Sequence, residues 1–289
     1  MAMKLGRFDL ADKSTLVYNL IVMLLLILFS HRIHSWHRLI LLNLSMIAVI
    51  VFLFARVTDR SPGLLRFLAS FYPMFFFFGG YLQTERMNRI FFDQFLDPLF
   101  RRIEYGLFGT EPAIVLAEHF PQWWVSEYMH FAYFTYYLLF PIMGIILYLR
   151  KDRRLFEEYM FTLCSSFYVY FLIFIALPVA GGESMGLPTT PADGPFTRIM
   201  GVIYQNFEVG GGAFPSSHVG IATLLVIYAF RHLRRPMAWI YAVLCVSLTI
   251  ATVYCRYHYA IDAISGILTG FALTFFWRRV YWAHTEPTG

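Results

Sequence analysis

The 289 residues of the chain are 58% hydrophobic and only 14% charged, with 31 Phe and 19 Tyr. That is about half the charged share of a soluble domain and excludes one. A net charge of +5 does not indicate nucleic acid, since the 23 Lys and Arg sit in small clusters between apolar runs and form no continuous basic face. Cys164, Cys245 and Cys255 lie in or at the end of such runs, without the spacing of a zinc site or a disulfide framework.

Runs apolar and long enough to cross a hydrocarbon layer of roughly 30 Å predict an all-α, polytopic membrane bundle of about eight transmembrane helices. In chain order they are 16–30, 39–54, 64–82, 127–149, 156–178, 218–230, 237–254 and 259–277. The first follows a basic N-terminus without a small-residue cleavage site, so it is expected to be retained. Between the third and fourth runs, 83–126 mixes charge and aromatics at helical spacing in NRIFFDQFLDPLFRRIEYGLFG, which predicts a helix lying in the membrane interface. Trp123 and Trp124 then suit an aromatic anchor for the next span. Residues 179–215 are rich in Gly and Pro with little periodicity, as in a folded loop or lid. The clusters RKDRR (150–154) and RHLRR (231–235) put both termini in the cytoplasm and the loops 83–126 and 179–215 on the periplasmic, lumenal or exterior face.

Two outward features carry chemistry. Gly210-Gly211-Gly212-Ala213-Phe214-Pro215-Ser216-Ser217-His218 runs into a helix. Glycines let backbone amides approach a ligand, and a helix start adds free N–H groups and a positive dipole end, the parts of a phosphate cradle. A Gly-Pro-Ser run also suits a plain helix start. The second feature is Tyr254-Cys255-Arg256-Tyr257-His258, with Asp262 four residues after His258 and so on one helix face. An aspartate there can accept a hydrogen bond from one imidazole nitrogen and leave the other to attack, while Arg256 offers a fork for phosphate oxygens. A structural His–Asp pair at the interface is the plainer alternative, although an unpaired carboxylate a turn inside a span is costly.

Together these residues resemble the type 2 phosphatidic acid phosphatase superfamily, which also includes vanadium haloperoxidases. Its second motif corresponds to Pro215-Ser216-Ser217-His218, and its third to Arg256, His258 and Asp262. The resemblance implies that His258 is the nucleophile and forms a phosphohistidine, that Asp262 orients it, and that His218 is the acid for the leaving group. It implies that Arg256, Ser216, Ser217 and the Gly212-Ala213-Phe214 backbone hold the phosphate oxygens. It also implies a six-helix catalytic core over 64–289, with 1–63 as a two-helix addition. The family's first motif, Lys, six residues, then Arg-Pro, has no outer match here. The form Tyr-x-Arg-Tyr-His-Tyr-x-x-Asp is closest to the branch resembling inositol phosphorylceramide synthases, whose Pro-rich segment corresponds to Leu177-Pro178-Val179-Ala180-Gly181-Gly182-Glu183, without arginine. A second phosphate-binding cation is therefore expected from the loop holding Arg86, Arg89, Arg101 and Arg102.

Glu127 and His130 open the fourth span at a spacing that would need a second copy to build a carboxylate-bridged metal site, so no metal is expected. With Arg86 and Arg89 they are candidate headgroup contacts, or helix caps. No cofactor is expected, because arginine, amides and a helix end can meet the developing charge. The expected partners are a membrane lipid substrate and an alcohol or lipid acceptor, with no nucleic acid; nothing specifies an oligomeric state. The reading is a lipid phosphatase or lipid headgroup phosphotransferase. A lipid transporter or flippase is the alternative, but neither inverted repeats nor broken helices are visible.

Overall fold

The computed structural model describes residues 8–58, 60–181, 193–207 and 210–285. Its helices are α1 (Leu10–Leu28), α2 (Trp36–Arg56), α3 (Gly63–Met87), α4 (Asp97–Phe108), α5 (Pro112–His119), α6 (Trp123–Leu149), α7 (Arg153–Ala176), α8 (Pro195–Phe207), α9 (Ser217–His232), α10 (Arg235–Tyr254) and α11 (Ala260–Thr285). There is no strand among the described residues, only a single bridge between Val179 and Gly212. Seven helices, α1, α2, α3, α6, α7, α10 and α11, are long and apolar enough to cross a membrane, as in an integral membrane protein. Side chains such as Leu24, Leu41, Phe52, Phe75, Val246 and Leu268 are exposed along them, where lipid replaces a protein partner.

The eighth expected span, 218–230, is α9, which at 16 residues is about 24 Å long and too short to cross alone. It has no need to meet lipid, because α6, α7, α10 and α11 surround it. Its contact with α11 is close because Gly266 and Gly270 face it. A Cβ on Gly266 would come 2.6 Å from the Ser216 carbonyl oxygen, and one on Gly270 2.6 Å from that of Gly220. Small residues four apart let two helix backbones touch, which dispersion rewards in a lipid-like interior.

At the far end of α11, the Arg278 guanidinium donates to Glu158 of α7, and Tyr228 of α9 donates to the same carboxylate at 3.1 Å. Those charges are buried but paired, the condition under which ionisable groups are tolerated in a membrane interior. The N-terminal α1 packs along α7, with Tyr18 stacked on Tyr168 at 4.4 Å and the Thr15 hydroxyl 3.0 Å from that of Tyr168.

The two long connections, 83–126 and 179–215, hold more helix than their sequences suggest. Within 83–126, α4 and α5 replace one interfacial helix, and the first part of the amphipathic run forms turns. Within 179–215, expected to be loop, α8 forms because Pro195 sits in its first turn and Glu127 of α6 receives the Phe196 and Thr197 amides at 2.9 and 3.1 Å. That cap comes from a residue distant in sequence, so the local signals, Pro195 and the apolar spacing after it, do not include the group that holds the helix start.

Candidate active site

The α9–α11 seam brings the two histidines together. Ser216 is the N-cap of α9, its hydroxyl oxygen accepting from the Val219 amide at 3.4 Å, and its own amide donates to the Asp262 carbonyl oxygen at 3.1 Å. This fixes His218, in the first turn of α9, beside His258, which lies just before α11. The His258 Nε2 and His218 Nδ1 atoms are 3.4 Å apart.

Hydrogen bonds assign the tautomers. His258 Nδ1 lies 2.9 Å from the Ala213 carbonyl oxygen, which can only accept, so Nδ1 carries the proton and a neutral His258 presents an Nε2 lone pair. His218 Nδ1 then donates toward that lone pair, and the Tyr133 hydroxyl, 3.1 Å from His218 Nε2, donates to it. Protons thus point in one direction from Tyr133 through His218 and His258 to Ala213. His258 is 3% exposed and Asp262 fully buried, so water does not compete for these bonds.

Asp262 does not accept the imidazole hydrogen bond expected of it. Its Oδ2 stands 3.6 Å from His258 Nδ1 and receives the Tyr259 amide at 2.9 Å. The ring is oriented by the Ala213 carbonyl, while Asp262 supplies a negative charge at Coulomb range and holds the turn. The expected cradle changes similarly. The Ala213 amide donates to the Val179 carbonyl oxygen at 2.9 Å, so this residue positions His258 and does not offer its N–H to phosphate. Gly212 pairs with Val179 and Phe214 packs edge-on against Phe100 at 4.7 Å. Ser217 and His218 line the adjacent cavity. Arg256 has φ 62°, a left-handed conformation unusual for a non-glycine residue. It makes the turn at the end of α10 and lets the Tyr257 and His258 amides both reach the Thr252 carbonyl oxygen. Such strain gathers where surrounding structure dictates it, often at functional sites.

The outlying candidates have other surroundings. Both oxygens of Glu127 are occupied in capping α8, and His130 Nδ1 donates to the Ser126 carbonyl oxygen at 2.7 Å. Among the described residues, no three His, Cys, Asp or Glu side chains stand together as metal ligands. Arg86 and Arg89 line a separate polar cavity of about 380 Å³ with Arg32, His34 and Glu85, bordered by Gly210. Arg101 is paired with Glu111, which raises its already high pKa, and Arg102 is exposed. Gly182 and Glu183 of the Pro-rich segment lie outside the described residues.

Sequence reading missed three groups. Tyr133 holds His218, and only its helical position three residues after His130 could have suggested it. Tyr204 of α8 stacks on Tyr257 at 4.0 Å, tying α8 to the turn that carries His258. Asp97 and Glu104 of α4 bind the backbone on either side of the site. A cavity of about 500 Å³, walled by Phe77, Phe78, Tyr81, Tyr136, Phe167 and Ile203 among others, ends on Ser217 and His218.

No curated protein and no solved structure matches the chain. A family model described as the PAP2 superfamily matches residues 106–276, more than half of the chain, from within α4 to within α11. The matched span encloses His218, Arg256, His258 and Asp262; the chain belongs to the PAP2 superfamily, and that membership supports a phosphatase-type phosphoesterase.

Proposed function

We propose that this protein cleaves or transfers a lipid phosphate ester through a phosphohistidine on His258. The observation that carries the reading is the aromatic, apolar cavity that ends at His218, beside the His258 Nε2 lone pair. It offers room for an acyl or isoprenoid chain next to a nucleophile and an acid. In the first step His218 has taken up a proton at Nε2 with the substrate and stands as an imidazolium. Nε2 of His258 attacks phosphorus, the bond from phosphorus to the leaving oxygen breaks, and His218 gives that oxygen its Nδ1 proton and is left neutral. In the second, water or an alcohol attacks the phosphohistidine and returns a proton to His218. At 3.4 Å the two nitrogens are too close to hold phosphorus and a leaving oxygen between them, so substrate must move the His218 ring toward the cavity. The motif form around Arg256 resembles that of the inositol phosphorylceramide synthase branch, while hydrolysis and transfer share the first step and differ in whether water or an alcohol attacks second.

The test is a panel of lipid phosphates and phosphodiesters given to the purified protein with and without acceptor alcohols, reading released phosphate and new lipid. No turnover of any of them would remove the lipid reading. Within the panel, Ile203→Trp, which fills the cavity from α8, is expected to lower kcat/KM for long-chain substrates about tenfold, through the loss of one or two buried methylenes. A short-chain ester should be unaffected; equal losses on both would place the chain elsewhere.

The site is proposed to face away from the cytoplasm, motivated by the basic clusters at 150–154 and 231–235. In single-cysteine variants of intact cells, an impermeant reagent is expected to label position 198 on α8 and not position 151. The reverse pattern would invert the topology.

A further inference from the structure

Helix α4 buries only Asp97, Phe100 and Glu104, a stripe at i, i+3 and i+7. Two of the three are carboxylates, so this helix is seated on the protein by its acids and Phe100, while most of its other apolar side chains are exposed. Leu99, Ile103 and Leu107 form an outward row at i, i+4 and i+8, exposed by 50, 43 and 66%. Phe91 and Phe92, just before the helix, are exposed as well, and Arg102 is exposed beside the row. In an apolar-outside protein, such a row with a bordering cation fits the acyl and headgroup boundary of the bilayer that the spans already occupy.

The buried face reaches the catalytic turn from two sides. Asp97 accepts the Ala180 and Gly181 amides, each at 2.9 Å, and the Tyr259 hydroxyl at 3.0 Å. Gly181 has φ 85° and lies so close to the turn that a Cβ would come 2.6 Å from the Tyr257 carbonyl oxygen. Glu104 accepts the Ala260 amide at 2.5 Å, at the N-terminus of α11, while its Oε2 is buried without a partner. Burial pushes the Glu104 carboxyl up to about 7, against the amide bonds that hold it down. His258 lies between the segments thus held. Asp97 and Glu104 precede the span matched by the family model.

We propose that α4 is a membrane-surface strut: its apolar row rests on the bilayer, and Asp97 and Glu104 on the adjacent, buried stripe set the position of His258. The two carboxylates are positioning residues, acting through the backbone of the catalytic turn, and their part in turnover rests on the His258 mechanism proposed above. Removal of α4 from the lipid surface loosens that turn.

The experiment uses the full chain in lipid nanodiscs, with nitrophenyl phosphate as a soluble substrate that needs no lipid partitioning. Leu99→Ser/Ile103→Ser/Leu107→Ser, a variant remote from the reacting groups, is expected to lower kcat about tenfold with KM unchanged. Asp97→Ala should do the same or more, and Asp97→Asn should recover part of the loss through its remaining acceptor oxygen. A second readout is the rate at which diethyl pyrocarbonate modifies His258, mapped by mass spectrometry. It should rise severalfold in the triple-serine, Asp97→Ala and Glu104→Ala variants and stay low in wild type. Unchanged kcat and unchanged His258 modification in all three would overturn the strut. A triple-serine defect confined to long-chain lipid substrates would also overturn it, leaving α4 as a lipid platform only. Raised His258 modification in the three variants, together with a wild type that turns over no phosphoester, would uphold the strut and reject the phosphohistidine.

Discussion

Replacing His218 with alanine is expected to separate two steps that wild type performs together. Cleavage of an alkyl phosphate ester should fall by about 10²–10⁴, the usual worth of a positioned general acid. A nitrophenyl ester, whose leaving group needs no proton, should still load His258 at a rate near wild type. The reason is geometric: His218 Nδ1 donates toward the His258 Nε2 lone pair, on the side where the leaving oxygen must depart, and Tyr133 holds its other nitrogen. Tyr133→Phe should therefore copy the His218→Ala defect in weaker form. Asp262→Asn is expected to be milder than His258→Ala, because the Ala213 carbonyl still fixes the ring and only the supporting charge at 3.6 Å is lost. These rates are read by rapid quench with both substrates; a His218→Ala variant equally slow on both would assign His218 to orientation and not to proton donation.

The second large effect is expected from two glycines that touch no reactant. Gly266→Val or Gly270→Val puts bulk where a Cβ already meets a backbone carbonyl oxygen at 2.6 Å. The only relief is separation of α9 from α11, and overpacking of this kind costs about 1–3 kcal/mol. Because His218 rides on α9 and His258 leads into α11, the same separation opens the 3.4 Å histidine contact. Activity should fall by more than the stability change accounts for, with thermal unfolding in detergent and turnover measured side by side. Wild-type turnover in a Gly270→Val protein would show that the seam does not set the site.

Seven spans were legible because each is a long apolar run, and the paired histidines because Pro-Ser-Ser-His and His-x-x-x-Asp are local patterns. Gly266 and Gly270 were on the page as glycines four apart, but only the facing carbonyls reveal what they do. Helix α8 was hidden because its cap, Glu127, arrives from another helix. Asp97 and Glu104 were hidden by a sound rule applied to the wrong solvent: polar residues of an amphipathic helix are expected to meet water, whereas here that face meets the protein. Within the expected phosphate cradle the Ala213 amide is already used, since an amide that sequence offers to a ligand can be taken by a neighbouring carbonyl, here that of Val179.

The central claim is that phosphorus passes through His258. Its most direct measurement is to quench the purified protein during turnover of a radiolabelled phosphoester under alkaline conditions, which preserve phosphohistidine, and to map the label by peptide mass spectrometry. The predicted result is an acid-labile phosphoryl or phosphodiester group on the peptide holding His258, absent from His258→Ala and accumulating with a good leaving group in His218→Ala. Label on His218, or turnover by His258→Ala at the wild-type rate, would contradict it.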